Sequence, residues 1–262
     1  MLKQAKEKQL SDFCRRDAFG TKIAGYFKTY SDGFPGVRFW IQENGGNAVT
    51  AAVCRAYDSV VLSAAPEADF EELLQFLRMI GFSTLSCEES VCKRLGLSPT
   101  RSGNIVRFER LLHPLRGEAA MPRYPDLREV YSLLTASGFD RLGERNEWIA
   151  DVSRRMNAGT ARWSVIYDGE TLAACACALF VVDSAVFLGC VAAHEDMRGR
   201  GLGSEAVLTL ADRYASEGRR AELFCKDGSI VEFYKKSGFA PVGRWAEYDL
   251  SLIHISEPTR LG

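Results

Sequence analysis

The clearest pattern of apolar and polar positions is a helical period at residues 70–80. Six apolar side chains recur there every three or four residues and would share one face: Phe70, Leu73, Leu74, Phe76, Leu77 and Ile80. Gly81 follows directly, where helices commonly end on a glycine. The pattern therefore predicts an amphipathic helix that begins at Phe70 and ends at Ile80.

The pattern around this helix predicts a small α+β domain. Strands are predicted over residues 37–42, 48–55, 59–64 and 84–86. A short helix is predicted over residues 88–95. Two helical stretches are predicted within residues 1–32, and Gly20 is expected to interrupt them because glycine is a poor helix former.

A second series of elements begins near residue 127. Helices are predicted over residues 127–134, 147–156 and 203–217, and a capping box from Ser229 to Glu232 opens a last helix that ends at Gly238. Strands are predicted over residues 162–167, 171–182, 185–193, 221–225 and 245–250, with a hairpin turn at Asp168-Gly169. This order loosely repeats that of the first half, so both halves are predicted to share one architecture.

The boundary between the halves is predicted at residues 113–122, which contain two prolines and a glycine between patterned segments. The predicted domains are therefore an N-terminal α+β domain (1–112), this linker, and a second domain (123–250). Residues 251–262 resemble the translation of a sequencing-library adapter, and we interpret them as a non-native tail.

Composition and charge narrow the classes of function. Hydrophobic residues make up 47% and charged residues 26%, which is ordinary for a globular protein and excludes a disordered or fibrous chain. The net charge of −1 shows no excess of basic residues, so no nucleic-acid partner is predicted. The N-terminus has no signal-peptide pattern. Residues 172–193 carry a single charge, Asp183, and we interpret them as a hairpin, so no membrane partner is predicted.

The eight cysteines include no C-x-x-C pair. Their spacing predicts free, buried thiols in a reducing compartment, which indicates a cytoplasmic protein, and it offers no metal site. A nucleophilic role is not predicted for Cys190 or Cys225, because no histidine accompanies them.

A glycine-rich segment after the strand at 185–193 is the most informative motif. Its sequence is Arg198-Gly199-Arg200-Gly201-Leu202-Gly203-Ser204, and a helix follows. Glycines permit positive φ angles, and the N–H groups of a helix start favour an anion such as a diphosphate. The spacing does not match a P-loop or a dinucleotide fingerprint. A methyltransferase-type G-x-G-x-G remains an alternative, although only about 47 native residues follow Gly203.

Two motifs together resemble the GCN5-related N-acetyltransferase (GNAT) family. Its acetyl-CoA signature [R/Q]-x-x-G-x-[G/A] matches the segment from Arg198 to Gly203. A second signature, Y-x-K-x-G-F, matches Tyr234-Lys235-Lys236-Ser237-Gly238-Phe239. The resemblance covers residues 124–250. It implies a mixed, mostly antiparallel sheet flanked by helices.

The resemblance also implies a site. Acetyl-CoA would lie where the strand at 185–193 separates from the strand at 221–225. The backbone of Val191, Ala192 and Ala193 would bind the pantetheine and polarise the thioester carbonyl. The diphosphate would be held by Arg198, Gly199, Arg200, Gly201, Leu202, Gly203 and Ser204. No metal is implied.

The same family carries a catalytic acid and, in some members, a catalytic base at matching positions. Tyr234 would be the general acid, and Glu222 or Glu195 the general base. Asp227 stands where the family often has an asparagine that contacts CoA. Because an aspartate stands here, the resemblance does not decide whether residue 227 contacts CoA.

The sequence therefore predicts an acetyl-CoA-dependent N-acetyltransferase whose acceptor is a small-molecule or peptide amine. A non-catalytic acyl-CoA-binding module is the alternative, and a methyltransferase the weaker one. The first half has no R-x-x-G-x-G segment, and its corresponding loop, residues 65–69, is acidic. We interpret it as a degenerate acetyltransferase-like domain or an unrelated small α+β domain. A homodimer is compatible with all of these predictions.

Overall fold

The computed structural model describes residues 1–30 and 33–250, so the segment interpreted as a non-native tail lies outside the described residues. The strands are β1 (Leu2–Gln4), β2 (Val37–Glu43), β3 (Val49–Ala56), β4 (Ser59–Ala64), β5 (Thr84–Glu88), β6 (Arg101–Phe108), β7 (Arg162–Asp168), β8 (Thr171–Val181), β9 (Ala185–Ala193), β10 (Arg220–Cys225) and β11 (Phe239–Asp249). The helices are α1 (Glu7–Phe13), α2 (Ala18–Tyr30), α3 (Phe70–Ile80), α4 (Glu89–Arg94), α5 (Leu127–Ala136), α6 (Arg145–Asn157), α7 (Leu202–Ser216) and α8 (Ser229–Lys236). The α+β class predicted from the sequence is confirmed.

The chain forms two compact units. The first contains Met1–Ile105, Cys225–Asp227 and residues 242–250. The second contains Val106–Phe224 and Gly228–Pro241. Most of the last strand thus contributes to the first unit, and the end of β6 contributes to the second.

In the first unit, the strand order is β1-β2-β3-β4-β5-β11. β4 and β5 are parallel, and the other neighbours are antiparallel. The apolar face of α3 packs Leu73 and Leu77 into a core with β3, β4 and β5, and Ala246 of β11 belongs to the same cluster. The antiparallel pairing of residues 245–249 with β5 and the burial of Ala246 both hold β11 in this unit.

In the second unit, the order is β6-β10-β9-β8-β7. β9 and β10 are parallel, whereas β7, β8 and β9 form an antiparallel meander. Val130 and Leu134 of α5 pack with Trp163 of β7 and Cys177 of β8 in the core. The predicted hairpin turn lies between β7 and β8, where Gly169 has a φ of 62°. The mixed, mostly antiparallel sheet is therefore confirmed.

Three predictions about local structure are wrong. Gly20 does not interrupt the N-terminal helices, because it lies inside α2 and the break falls between Phe13 and Ala18. A Cβ at Gly20 would lie 2.3 Å from the Cys14 carbonyl oxygen, so the glycine allows a close backbone approach. The capping box at Ser229 is absent: Gly228 is the N-cap of α8, without a side-chain hydrogen bond. The last strand begins at Phe239 rather than Trp245.

Strands β1 and β6 were not predicted. β6 contains Gly103 and Asn104, which are depleted in strands and hide its pattern. Gly103 is required there, because a Cβ would lie 2.2 Å from the Cys225 carbonyl oxygen and 2.7 Å from Trp245 Nε1. The Trp245 indole donates a hydrogen bond to that carbonyl at 3.0 Å. A glycine in a strand thus marks a close approach of another chain segment.

Among the helices of residues 1–30 and 33–250, none has both the length and the apolar content needed to span a membrane.

Candidate active site

The parallel pair β9–β10 stops before either strand ends. The paired register runs from Ala185–Arg220 to Leu188–Leu223. β9 continues to Ala193 and stays paired with β8. A bulge opposite Cys175–Cys177 contains Cys190, whose φ is 51°. The last residues of β9, including the predicted Val191, Ala192 and Ala193, therefore extend beyond the pairing with β10 and leave a fork.

The glycine-rich loop connects this fork to helix α7. After a short 3₁₀ turn (Glu195–Met197), Gly199 and Gly201 have φ angles of 79° and 78°, which other residues rarely adopt. Gly201 is the N-cap of α7, and no side chain caps the helix. The first N–H groups of α7 have no acceptor within the helix. This helix start fits a diphosphate, since it offers donors and the positive end of the macrodipole.

The loop lies against the end of β9. A Cβ at Gly203 would be 3.6 Å from Val191 Cγ1, so the structure brings the predicted pantetheine and diphosphate segments together. Arg198 Nε is 3.5 Å from the Ala193 carbonyl oxygen. Arg200 forms an ion pair with Asp168 at 2.8 Å, and both side chains are about half exposed. Both arginines remain at the surface of the loop, where they add positive charge.

Glu222 lies on β10 opposite Phe187 and its side chain is only 2% exposed. Arg107 of β6 donates to one carboxylate oxygen, Oε1, through Nε at 2.8 Å and Nη2 at 2.7 Å. Arg220 Nε lies 3.8 Å from the same oxygen. The second oxygen, Oε2, is buried without a hydrogen-bond partner among the described residues. The ion pair therefore engages only one of the two carboxylate oxygens.

We expect the replacement of Arg107 by Ala to lower the free energy of unfolding by about 2 kcal/mol, because it leaves a buried carboxylate without its main partner. Chemical denaturation measures this loss, and the additional change Glu222→Gln should recover part of it. The exposed pair Arg213–Glu217 provides a control, since Arg213→Ala should cost about 0.5 kcal/mol or less. Equal losses for both arginine variants would contradict the prediction.

Tyr234 lies on α8 and is 7% exposed. Its ring packs edge-on against Phe239 at 5.4 Å and against Phe233 at 5.0 Å between ring centroids. Glu195, the other candidate base, lies exposed in the 3₁₀ turn. Phe233 precedes Tyr234 on α8 and Phe239 begins β11, so the ring packs between side chains of two elements.

Asp227 has a structural role at its position. It accepts hydrogen bonds from Arg244 at 3.2 and 3.3 Å and from the Asn104 amide. The hydrogen bond from Arg244 lowers the pKa of Asp227 below its usual value. Arg244 also binds Glu89 at 2.8 Å. The carboxylate at this position therefore holds Arg244, a contact that accounts for a charged residue here.

The lowered pKa of Asp227 makes its contribution to stability depend on pH. The folded state favours the charged form, so the contribution is present above the ordinary aspartate pKa of about 3.9 and is lost as the pH falls. We expect Asp227→Asn to lower the melting temperature slightly at pH 7, and the difference from the wild type to shrink as the pH falls below about 3.9 toward the lowered pKa of Asp227. Melting curves across this range test the prediction, and a difference that stays constant would contradict it.

The cysteines are free thiols and offer no nucleophile in this region. Burial raises the pKa of Cys190 to about 12 and that of Cys225 to about 11, so both thiols remain protonated at neutral pH. Within the described residues, no group of three or more histidine, cysteine or acidic side chains is arranged to hold a metal ion.

Sequence reasoning missed Arg107, because it lies 115 residues before Glu222 in a strand with no clear pattern. It also missed Arg116 and Glu205, which meet beside the glycine-rich loop. No local signal identifies these residues; each lies far along the chain from its partner.

The family model described as "Acetyltransferase (GNAT) family" matches residues 126–239. No curated protein sequence matches the chain significantly. Several solved structures share its fold. A tandem GNAT protein from the clavulanic acid biosynthesis pathway has a TM-score of 0.59 at 13% identity, with 94% of this chain and 97% of that chain covered.

Two further structures give the same result. A GCN5-related N-acetyltransferase from Sphaerobacter thermophilus has a TM-score of 0.58 at 14% identity, with 94% of each chain covered. An acetyltransferase of the GNAT family from Colwellia psychrerythraea has a TM-score of 0.54 at 10% identity, with 95% and 99% covered. The match to a tandem protein extends over both units, so the first unit has an acetyltransferase-like fold. Residues 126–239 therefore form a domain of the GNAT acetyltransferase family, in a chain with the fold of a tandem GNAT protein.

Proposed function

We propose that this protein transfers an acetyl group from acetyl-CoA to a primary amine, by direct attack of the amine in a ternary complex. Membership of the second half in the GNAT family supports acyl transfer. The observation that carries the proposal is that three features follow one another directly along the chain. They are the fork beyond Leu188, the two glycines with positive φ, and the uncapped start of α7.

In this proposal, the N–H groups from Gly199 to Ser204 hold the diphosphate, and Arg198 and Arg200 add attraction at the surface. The backbone of Val191, Ala192 and Ala193 binds the pantetheine. One of its N–H groups donates to the thioester oxygen, where negative charge develops in the transition state. This contribution needs no side chain, which agrees with the small residues at these positions.

Proton transfers complete the reaction. The amine must be neutral to attack, so Glu222 accepts a proton from the ammonium at Oε2, directly or through water, and later returns it to solvent. The new bond joins the amine nitrogen to the acetyl carbon, and the carbon–sulfur bond breaks. Tyr234 donates its hydroxyl proton to the leaving sulfur, which gives free CoA thiol, and the phenolate regains a proton from the nitrogen as the amide forms. Glu195 is the alternative base, and its exposed position favours an acceptor amine that binds at the protein surface.

Thermal-shift measurements with acetyl-CoA, CoA and S-adenosylmethionine test the first step, because a ligand that binds only the folded state raises the melting temperature. A shift with S-adenosylmethionine alone would contradict the proposal. A panel of small-molecule and peptide amines then tests transfer through the release of CoA thiol.

A non-catalytic acyl-CoA-binding module is the second candidate. The contact of Asp227 with Arg244 favours it, because the residue at the family's asparagine position is already engaged. Binding of acetyl-CoA without turnover of any amine would support this candidate. Turnover that depends on Tyr234 would exclude it.

A further inference from the structure

The segment just before the GNAT domain folds back onto the glycine-rich loop. Arg116 donates from Nη1 to the Arg200 carbonyl oxygen at 3.2 Å. Its Nη2 lies 3.8 Å from the position that a Cβ would take on Gly201. The guanidinium thus lies against the N-cap of α7, where the proposed diphosphate would bind. These residues belong to the same compact unit.

A buried carboxylate also lies at this helix start. Glu205 is the fourth residue of α7 and its side chain is 6% exposed. Its Oε1 accepts a hydrogen bond from the Gly117 N–H at 2.9 Å, and its Oε2 is 3.9 Å from Arg116 Nε. A negative charge near the first turn interacts favourably with the helix dipole, but it would repel a diphosphate at the same end.

The two residues therefore have opposite effects on an anion. Glu205 anchors the segment through Gly117, and Arg116 offsets its charge while it contacts the loop backbone. Arg116 also forms an ion pair with Glu118 at 3.3 Å, at the protein surface. Because the side chain of Arg116 is about half exposed, its guanidinium can also attract the phosphates from solution.

We propose that Arg116 is a positioning residue for the diphosphate of acetyl-CoA, which neutralises Glu205 and holds the Arg200 carbonyl so that the loop N–H groups face the ligand. This inference rests on the proposed function. It places a determinant of cofactor affinity outside residues 126–239, in the segment that the sequence pattern marks only as a linker.

Calorimetric titration of CoA into four full-length proteins tests the inference: wild type, Arg116→Gln, Glu205→Gln and the double variant. We expect Arg116→Gln to bind CoA about tenfold more weakly, and Glu205→Gln to stay within about twofold of wild type. The double variant should return to within about threefold of wild type, because the repelling charge is gone. The same titrations with 3′-dephospho-CoA should show the same loss, since the diphosphate is retained.

Arg123→Gln is the matched control. Arg123 lies seven residues after Arg116, directly after this segment, but its guanidinium stacks over Tyr124 at 5.3 Å. This variant should bind CoA like the wild type. Melting temperatures of all variants without ligand separate a loss of affinity from a loss of folded protein.

Three outcomes would overturn the inference alone, and a fourth would overturn the proposed function with it. Wild-type affinity in Arg116→Gln would show that the arginine is not needed. A double variant as weak as Arg116→Gln would show that Glu205 is not the charge being offset. A loss with CoA that disappears with 3′-dephospho-CoA would assign Arg116 to the 3′-phosphate instead. A wild-type protein that binds no CoA would overturn the proposed function and this inference together.

Discussion

Replacement of Tyr234 by Phe should lower the rate of acetyl transfer about a hundredfold at neutral pH, which is the usual contribution of a positioned general acid. The affinity for acetyl-CoA should change little, because only one oxygen atom is removed. The rate of CoA thiol release, with any amine that the wild type accepts, measures the effect. The defect should shrink above about pH 8.5, where a thiolate leaves without a proton.

Tyr214→Phe is the matched control for this experiment. Tyr214 is also a buried helical tyrosine, with 8% exposure against 7% for Tyr234, but it lies on α7. Its replacement should leave the transfer rate within about twofold of wild type. Equal rates for Tyr234→Phe and wild type would remove Tyr234 from the reaction and leave the acid unidentified.

Replacement of Gly201 by Val should weaken acetyl-CoA binding about a hundredfold, a loss of about 2.7 kcal/mol. The φ of 78° at this N-cap strains any side chain, and a branched one most of all. The added methyl groups would also stand where the diphosphate approaches the backbone. Calorimetric titration of acetyl-CoA into the variant measures the loss.

Gly218→Val separates the effect of backbone strain from the effect of blocking the diphosphate. Gly218 follows the other end of α7 and has a nearly identical φ of 79°, with no atom within 4 Å of a Cβ placed there. Both variants should lose a similar amount of stability, about 1–2 kcal/mol, but only Gly201→Val should lose affinity. If both variants bind acetyl-CoA equally well, the diphosphate does not lie at this helix start.

Much of the fold could be predicted from the sequence, because its strongest signals are local. The period at residues 70–80 gave α3 with its observed bounds, and Gly81 follows with a φ of 65°. The strands at 59–64 and 185–193 were also predicted with their observed bounds. Strand β6 was not predicted, because a glycine usually indicates a turn. Gly103 instead leaves room for a carbonyl and an indole that are distant in the sequence.

The candidate site also has residues that could be predicted from the sequence and contacts that could not. The glycine-rich loop and Tyr234 were found from two short motifs, each contained within six residues. The contacts of Glu222 with Arg107 and of Asp227 with Arg244 could not be found from a motif, because they join separate strands and loops.

The sequence by itself determined the helical and strand periods, the glycines that turn the chain before α7, and the family of the second half. These depend on neighbours along the chain, whose steric limits and hydrogen bonds act over a few residues. Only the tertiary structure decided which compact unit receives β11 and which charges face Glu222 and Glu205. Those contacts join residues 88 and 115 positions apart, and they form because burying a carboxylate requires a donor or a cation from wherever the packed chain supplies it.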